Sequence, residues 1–467
     1  MNAALDRYFK ISERGSTIGT EVRAGVVSFF AMAYIILLNP LILGTSPDVA
    51  GRTLGIPQVA AATALIAGIM TIAFGAIARY PFAMAAGLGM NTFVAVTMVS
   101  TKGLEWKDAM GLVILEGIII VLLAISGFRQ AVFDAIPASM KAAMGVGIGM
   151  FIAIIGFVDG GFVTRVPDAA HTTVPVGLGI NGSVSTWPAF VFVLGLLLCS
   201  FMVIRKVRGG LFLGIVITTV IAMILQAIFG SEDWGMATPE IPGSFGGLPD
   251  LSIVGEVSLV GAFTKLGVVA TVLLIFTLLL TNFFDAMGTM NGLGKQAGLV
   301  DENDNLPDMR TALVVEGAGA IAGGLGSVSS NTVFADSAAG IGDGAKTGLA
   351  NITTGVIFLL AMFLTPLYEI VPIEAAAPVL VIVGVMMASQ LKDIEWTKME
   401  VAIPAFLTIV IMPFTYSIAN GIGVGFIAFA LMSAFAGKAK QVHWLMWLIA
   451  ALFVVYFGMA PLTNALS

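Results

Sequence analysis

The sequence predicts an all-α polytopic membrane protein of about fourteen membrane segments, arranged as a 7+7 inverted repeat. Two observations predict the membrane class, and a third predicts the repeat. Of the 467 residues, 58% are hydrophobic and only 11% are charged, and the mean hydropathy is +1.01. The apolar residues occur in long runs that end at charged residues or at glycine and proline. Short patterns in the first half of the chain recur in the same order in the second half.

The composition excludes several other classes of protein. Soluble domains carry about 25% charged residues, so a soluble enzyme, a nucleic-acid binder and a disordered regulator are all excluded. The net charge is −6 and no basic block offers a surface to a nucleic acid. Cys199 is the single cysteine, and the two histidines, His171 and His443, are far apart. The sequence therefore predicts no disulfide, no metal centre and no cofactor.

Hydrophobic runs define the predicted membrane segments. About 20 apolar residues cross the hydrocarbon core of a bilayer as a helix. In chain order, segments 1 to 14 are predicted at 24–44, 58–78, 81–100, 109–127, 141–158, 187–204, 209–230, 267–291, 309–325, 327–345, 348–370, 375–390, 401–416 and 418–436.

The distribution of basic residues predicts the orientation in the cell inner (plasma) membrane. With the N-terminal segment 1–23 in the cytoplasm, 17 of the 22 Lys and Arg residues fall on the inner side, as the positive-inside rule requires. The connections 159–186 and 231–266 are then outside. A further apolar stretch at 443–459 is interpreted as an interfacial helix, with a fifteenth span as the alternative.

Four pairs of short patterns predict the internal repeat. Because a unit of seven segments is odd in number, the second unit enters the membrane from the opposite side. In transporters such inverted repeats place the substrate site near the midplane, at discontinuous helices. The matching pairs are 25–27 with 267–269, 91–95 with 331–335, 117–124 with 355–361, and 188–190 with 404–406.

Segments 3 and 10 are the irregular ones, and they occupy corresponding places in the two halves. Ala85–Thr92 and Gly326–Ser337 are rich in Gly, Ser and Asn, which are poor residues for a helix interior. Each segment is predicted to run as a short strand to mid-membrane and then to begin a half-helix, with both half-helix N-termini facing one cavity. Tight packing of helices through glycine is the alternative.

Four acidic residues lie well inside apolar runs: Glu116, Asp285, Glu316 and Asp336. A carboxylate at the bilayer centre costs about 3 kcal/mol even on the insertion scale, so each is a candidate for function. Asp285 and Asp336 are the candidates for substrate binding and for ion coupling. Glu116 and Glu316 are interpreted as hydrogen-bonding groups between packed helices.

Two stretches near segment 10 resemble enzyme motifs, and both are set aside. Gly340–Thr347 resembles a phosphate-binding P-loop, but Ala345 replaces a glycine and no strand context is predicted. Gly340–Asp343 has the GxGD pattern of intramembrane aspartyl proteases, with Asp285 as a partner, but the Pro-Ala-Leu motif of those enzymes is absent. The chain is therefore predicted not to be an enzyme.

Five longer motifs resemble those of a known family. They resemble the nucleobase-cation symporter-2 superfamily and, more narrowly, its AzgA-like branch of hypoxanthine, adenine and guanine permeases. The similarity extends over nearly the whole chain. The motifs are LLNPLIL at 37–43, GLGMN at 87–91, FFDAMGT at 283–289, SSNTVFADSAAGI at 329–341 and IPAFLTIVIMPFTYSIANGI at 403–422.

The resemblance implies a division into a core domain, segments 1–4 and 8–11, and a gate domain, segments 5–7 and 12–14. It also implies a homodimer built on the gate domains. The implied boundaries are 24–127 and 267–371 for the core, 128–230 and 372–436 for the gate, 231–266 for an extracytoplasmic loop, and 437–467 for a C-terminal apolar helix.

The resemblance further implies secondary active import of purine nucleobases by ion symport through alternating access. The coupling ion is expected to be H⁺, with Na⁺ as the alternative, and neither a metal nor a nucleic acid is a partner. The branch generally has Glu where this chain has Asp336. The substrate-binding residues are predicted to be Gly89, Asn91, Asp285, Ser330, Thr332, Phe334, Ala335 and Asp336.

Between the two acidic candidates, Asp285 is the predicted proton carrier. It lies in mid-span, where burial disfavours the charged form of a carboxyl group. Asp336 is expected at the start of a half-helix, where the dipole favours the ionised form. An anion exchanger or permease of the same 7+7 fold is the alternative function, although such proteins usually place a basic residue where Asp336 stands.

Overall fold

Helices dominate the structure, because a chain in a bilayer satisfies its backbone N–H and C=O groups most simply within each segment. The computed structural model describes residues 3–126, 136–165, 176–179, 183–207, 209–230, 246–301, 306–367, 370–415 and 417–466.

The first half of the described chain contains nine helices and three short strands. In chain order they are α1 (Ala3–Phe9), α2 (Ile18–Met32), α3 (Ile35–Leu43), α4 (Ile56–Ile77), β1 (Met84–Ala86), α5 (Leu88–Thr92, continued by a π-helix at Phe93–Thr101), α6 (Trp106–Ser126), α7 (Ala138–Asp159), β2 (Val163–Arg165), β3 (Val176–Leu178), α8 (Trp187–Ile204) and α9 (Gly210–Phe229).

The described second half contains a further nine helices, one strand and three 3₁₀-helices. They are α10 (Gly261–Leu266), α11 (Val268–Ala297), α12 (Met309–Leu325), β4 (Asn331–Val333), α13 (Ser337–Gly342), α14 (Gly348–Ala361), a 3₁₀-helix at Met362–Leu367, α15 (Ile373–Ala388), a 3₁₀-helix at Ser389–Asp393, α16 (Met399–Phe414), α17 (Ile418–Phe435), a 3₁₀-helix at Ala439–Gln441 and α18 (Trp444–Leu466).

Eight helical stretches within these described residues are long and apolar enough to cross a membrane. Shorter apolar helices, such as Met399–Phe414 in segment 13, account for other predicted segments. The helical membrane class therefore agrees with the prediction, and the number of fourteen segments stays a prediction. Helix α18 packs against α11 and α17, and whether it crosses the membrane also stays a prediction.

Segments 3 and 10 meet through their strands. β1 and β4 pair antiparallel, with Ala85 opposite Thr332. The pairing continues beyond the strands, because Gly87 N donates to Ser330 O at 3.0 Å and Phe334 N donates to Ala83 O at 2.9 Å. These buried backbone groups thus satisfy one another where the chain is not helical.

Helix contacts in the two halves of the chain are equivalent. Helix α4 packs on α14 as α12 packs on α6, and α8 packs on α15 as α16 packs on α7. In the same way α2 contacts α13 and α14, whereas α11 contacts α5 and α6. This exchange of partners is what a two-fold internal repeat requires.

Two glycine crossings identify equivalent positions in that repeat. A Cβ atom added at Gly117 would lie 2.9 Å from Gly317 O and 2.7 Å from Ile321 N. One added at Gly355 would lie 2.6 Å from Gly68 O and 3.1 Å from Ile72 N. The sequence match that pairs Gly117 with Gly355 therefore marks a structural equivalence.

A second sequence match does not mark a structural equivalence. Asn91 lies in α5, after the strand of segment 3, whereas Asn331 is the first residue of β4. The helices that follow the strands begin at Leu88 and Ser337. The short Asn-Thr pattern thus occurs on opposite sides of the strand-to-helix junction in the two halves.

The predicted outer connections are described only in part. Residues 166–175, 180–182 and 231–245 lie outside the described residues, and so does His171. Residues 246–266, the described part of the connection 231–266, are bound to the ends of α4 and α6. Gln58 Nε2 donates to Asp250 Oδ2 at 2.8 Å, and Lys265 Nζ lies 2.8 Å from Asp108 Oδ2.

Candidate substrate site

A cavity of about 420 Å³ lies beside the strand pair, where α5 and α13 begin. One wall comes from segments 1, 3, 8 and 10, and the other from α7 and from α15 with its following 3₁₀-helix. The lining residues are Tyr34, Gly87, Leu88, Gly89, Met90, Thr281, Asp285, Thr289, Val333, Phe334, Ala335, Asp336, Ala338 and Ala339 on the first wall, and Ile148, Ile152, Val383, Met386, Met387 and Gln390 on the second.

Two carboxyl groups line this cavity, Asp285 from α11 and Asp336 from the turn before α13. Asp336 also interacts with segment 1, because the Tyr34 hydroxyl donates to its Oδ2 at 2.9 Å. Tyr34 joins α2 to α3, and the centroid of its ring lies 6.2 Å from that of Phe334. One carboxylate oxygen of Asp336 is therefore held by the protein, and the residue itself lines the cavity.

Sequence reasoning missed Tyr34. The signal was present, because a tyrosine inside an apolar run needs a hydrogen-bond partner for its hydroxyl when it is buried. Tyr34 is 1% exposed. A search for buried acceptors on other segments would have suggested Asp336 as its partner.

Helix α11 presents three polar side chains to the cavity at helical spacing. Thr281, Asp285 and Thr289 are four residues apart, so they share one face of the helix, and all three line the cavity. The Thr281 hydroxyl donates to Thr277 O at 2.8 Å, which leaves its oxygen able to accept a hydrogen bond from a ligand.

The structure brings five of the eight predicted substrate-binding residues to the cavity wall: Gly89, Asp285, Phe334, Ala335 and Asp336. A Cβ atom added at Gly89 would lie 3.0 Å from Ile148 Cγ2, so a side chain there would narrow the space between the two walls. Ala335 is exposed to the cavity. The other three, Asn91, Ser330 and Thr332, are buried away from the wall.

Ser330 is part of a buried hydrogen-bonded cluster behind the cavity. Asn282 Nδ2 donates to Glu116 Oε1 at 2.8 Å and to Ser330 Oγ at 3.0 Å. Ser330 Oγ in turn donates to Glu116 Oε1 at 3.3 Å. These bonds join segments 4, 8 and 10, which agrees with the interpretation of Glu116 as a group that connects packed helices.

Asn91 and Thr332 point away from the cavity for geometric reasons. Successive residues of a helix turn by about 100°, so Asn91 lies on the side of α5 opposite Gly89. Side chains of a strand alternate, so Thr332 faces away from Val333, which lines the cavity. Neither the Asn91 amide nor the Thr332 hydroxyl makes a hydrogen bond with the described residues.

A second cavity, of about 380 Å³, adjoins the first. Both are lined by Ile148, Thr281, Asp285, Thr289, Met387 and Gln390. The second cavity continues to Lys141 and Asp393. The two cavities thus form one path from Asp336 towards these two residues.

The electrostatic character of the central cavity is acidic. Its lining includes two carboxyl groups and no Lys, Arg or His side chain. Asp343 takes no part, because it pairs with Arg23, whose Nε lies 2.7 Å from its Oδ2. The arrangement favours a ligand that offers N–H donors.

The described residues contain no group of three or more His, Cys, Asp or Glu side chains that could hold a metal ion.

Comparison with known proteins decides the family. Residues 19–424 match the model of the permease family Xan_ur_permease. The chain belongs to this family. The permease is 35% identical over 460 residues to the guanine/hypoxanthine permease PbuG of Bacillus subtilis, an alignment that covers 97% of this chain and 99% of the relative. It is 33% identical to the adenine permease AdeQ of Escherichia coli, with 97% and 96% covered. These matches confirm the resemblance to nucleobase permeases.

The fold of the permease is also found among solved structures. The transmembrane domain of the cyanobacterial bicarbonate transporter BicA superposes with a TM-score of 0.60 at 16% identity, over 87% of this chain and 96% of that domain. At this identity the likeness shows a shared fold. The permease is an integral membrane transport protein of that fold.

Proposed function

We propose that this permease imports purine nucleobases, namely hypoxanthine, guanine and adenine, across the plasma membrane by proton symport. The observation that carries the proposal is the pair of carboxyl groups, Asp285 and Asp336, in a central cavity of about 420 Å³. Membership of the family and the names of the relatives support the purine class. Ligand cavities of about 300–1,000 Å³ are typical for small organic molecules.

The chemistry of the cavity suits a neutral base. A purine offers ring N–H donors that carboxylates accept, and a flat ring that can pack against Phe334 and the apolar side chains opposite. The first N–H groups of α5, at Leu88 and Gly89, have no acceptor within their own helix and can meet a ring nitrogen or O6. With about ten heavy atoms at roughly 0.8 kcal/mol each, the affinity limit is near micromolar.

Transport follows if the two walls of the cavity move past each other. The wall with Tyr34, Asp285 and Asp336 belongs to the proposed core domain, segments 1–4 and 8–11. The wall with Ile148 and Gln390 belongs to the proposed gate domain, segments 5–7 and 12–14. With fourteen segments and a cytoplasmic N-terminus, the path to Lys141 corresponds to an inward-open state.

Proton coupling is assigned to Asp285. It lines both cavities, so a proton bound there from the outside leaves along the same path as the base. Moving one charge across 100 mV supplies about 2.3 kcal/mol, enough for roughly fifty-fold accumulation of a neutral base.

Anion exchange is the second candidate, because the fold is shared with a bicarbonate transporter. The central cavity disfavours it. Asp285 and Asp336 would repel an anion, and no basic side chain lines that cavity to compensate.

Uptake of radiolabelled hypoxanthine by a bacterium that lacks its own purine transporters tests the proposal. We expect saturable uptake that unlabelled guanine and adenine inhibit and that uracil and bicarbonate do not. A protein present in the membrane that gives no more uptake than the empty host, or uptake of bicarbonate instead, would contradict the proposal. Asp336→Asn is the matched variant and should take up hypoxanthine with a lower apparent affinity than the parent.

A further inference from the structure

The passage between the two cavities has a polar side and an apolar side. Of the six residues that line both cavities, three come from α11: Thr281, Asp285 and Thr289. The other three come from the opposite wall: Ile148, Met387 and Gln390. Among the described residues that line both cavities, Gln390 is therefore the one on that opposite side with a strong hydrogen-bonding side chain.

Gln390 is held in place by close packing of the elements around it. It lies in the 3₁₀-helix Ser389–Asp393 that follows α15. A Cβ atom added at Gly145 of α7 would lie 2.5 Å from Gln390 Oε1 and 2.8 Å from its Nε2. The glycine thus leaves the space that the amide occupies. Helices α7 and α15 are themselves in close contact, since a Cβ at Gly149 would lie 3.0 Å from Gly384 O.

The chemistry of an amide matches the edge of a purine that carries the C6 substituent. Hypoxanthine presents N1–H as a donor next to O6 as an acceptor, and adenine presents an N6–H donor next to the N1 acceptor. A Gln side chain carries one acceptor oxygen and one donor NH₂ side by side. Gln pairs in this bidentate way with N6 and N7 of adenine in DNA, and N6 with N1 offers the same donor next to an acceptor. Rotation of the amide by 180° matches either base.

We propose that Gln390 binds the C6 edge of the purine from the gate side and that its amide lets one site accept both oxopurines and aminopurines. The inference rests on the proposed function and deepens it. An acidic residue of the core wall takes the ring N–H of the imidazole half, at N7 or N9, and Gln390 takes the donor–acceptor pair at N1 and C6. Gln390 also lines both cavities, so a base that passes from one to the other passes its amide.

Replacement of Gln390 by leucine provides the test, because leucine is apolar and of similar size. Binding of hypoxanthine, adenine and unsubstituted purine, which lacks the C6 group, is measured on the purified full-length protein. We expect the parent to prefer hypoxanthine and adenine over purine by about tenfold, the value of one lost hydrogen-bonded pair. In Gln390→Leu both preferences should fall to about one, while purine binding is kept and shows that the site is intact.

Gln441→Leu, at an exposed position that lines neither cavity, is the matched control and should keep the parental preference. A Gln390→Leu protein that still prefers hypoxanthine and adenine to purine overturns this inference alone. A parent protein that binds none of the three bases overturns the proposed function and this inference together. Gly145→Ala, which forces the Gln390 amide to move, should lower the two preferences in the same direction.

Discussion

At the scale of single residues, Asp336 is the group on which binding depends most. It is anchored by the Tyr34 hydroxyl at 2.9 Å, and it lines the cavity. Asp336→Asn should weaken hypoxanthine binding by about 10- to 150-fold, because a hydrogen bond to a charged group contributes about 1.5–3 kcal/mol. Equilibrium binding to the purified protein measures this.

The controls separate the role of the carboxylate from charge removal in general. Glu256→Gln, at a solvent-exposed ion pair with Arg52 that lines neither cavity, should bind like the parent. Tyr34→Phe keeps the carboxylate but removes its anchor, so it should weaken binding less than Asp336→Asn does. Parental affinity in Asp336→Asn would remove residue 336 from the site.

How much of the site could be predicted depended on where the chemical signal lay in the sequence. Asp285 and Asp336 were predictable, since an acidic residue in an apolar run is costly and therefore informative. Gln390 was not, because it is the last residue of predicted segment 12, and a polar residue at the end of a membrane segment is ordinary. Asn91 and Thr332 were predicted to bind the substrate. They lie on the faces of α5 and β4 that point away from the cavity, so their roles stay predictions.

At the scale of elements, the start of α5 determines how closely the two walls approach. Gly89 lines the cavity, and a Cβ there would already lie 3.0 Å from Ile148 Cγ2. Gly89→Val should therefore abolish binding, because the branched side chain fills the space of the ligand. Asn91→Ala should have a smaller effect, since Asn91 is 0% exposed and away from the wall.

Binding measured on both variants at equal protein concentration distinguishes these outcomes. Equal losses in the two variants would mean that Asn91 contributes to the site directly. Parental binding in both would mean that segment 3 serves packing alone, which was the alternative that its glycines left open.

Glycine crossings between helices determine the stability of the repeat. A Cβ at Gly117 would lie 2.7 Å from Ile321 N and 2.9 Å from Gly317 O, so neighbouring backbone would have to shift. Gly117→Ala should destabilise the protein by about 1–3 kcal/mol, as overpacking does elsewhere. The midpoint of thermal unfolding in detergent measures this.

Gly19→Ala in α2 is the matched control. No atom of the described residues lies within 4 Å of the Cβ position at Gly19, and alanine is the better helix former by about 1 kcal/mol. Its unfolding midpoint should equal or exceed that of the parent. An equal midpoint of thermal unfolding for Gly117→Ala and Gly19→Ala would contradict the claim that close helix contact at Gly117 stabilises the protein.

The elements themselves were predictable to different degrees. Hydrophobic runs locate the long helices, because a run that lies in the bilayer must satisfy its backbone N–H and C=O groups by hydrogen bonds within the helix. The Gly- and Ser-rich stretches indicated where the chain leaves the helix. The position of the strand-to-helix junction within segments 3 and 10 could not be predicted. The Asn-Thr pattern at 91 and 331 suggested one alignment of the two segments, but it lies after the junction in segment 3 and before it in segment 10. Only long-range contacts determine that position.

At the scale of the whole molecule, two peripheral segments hold the proposed core domain together. On one side, Tyr8 Oη donates to Ala76 O at 2.8 Å, and Arg14 donates to Lys346 O at 2.9 Å. On the other, residues 246–266 bridge the ends of α4 and α6 through Asp250 and Lys265. Both segments bind elements of one domain, which suits a core that moves as a unit against the gate.

Transport of a purine together with a proton is the central claim, and one measurement on the purified permease in liposomes tests it most directly. The liposomes hold unlabelled hypoxanthine or none, and labelled hypoxanthine is added outside at acidic pH with the interior negative. The parent should accumulate label uphill, lose this with a protonophore and keep it without sodium. Asp285→Asn should exchange hypoxanthine for hypoxanthine but should not accumulate it. Accumulation that requires sodium and ignores the protonophore, or full accumulation by Asp285→Asn, would contradict the account.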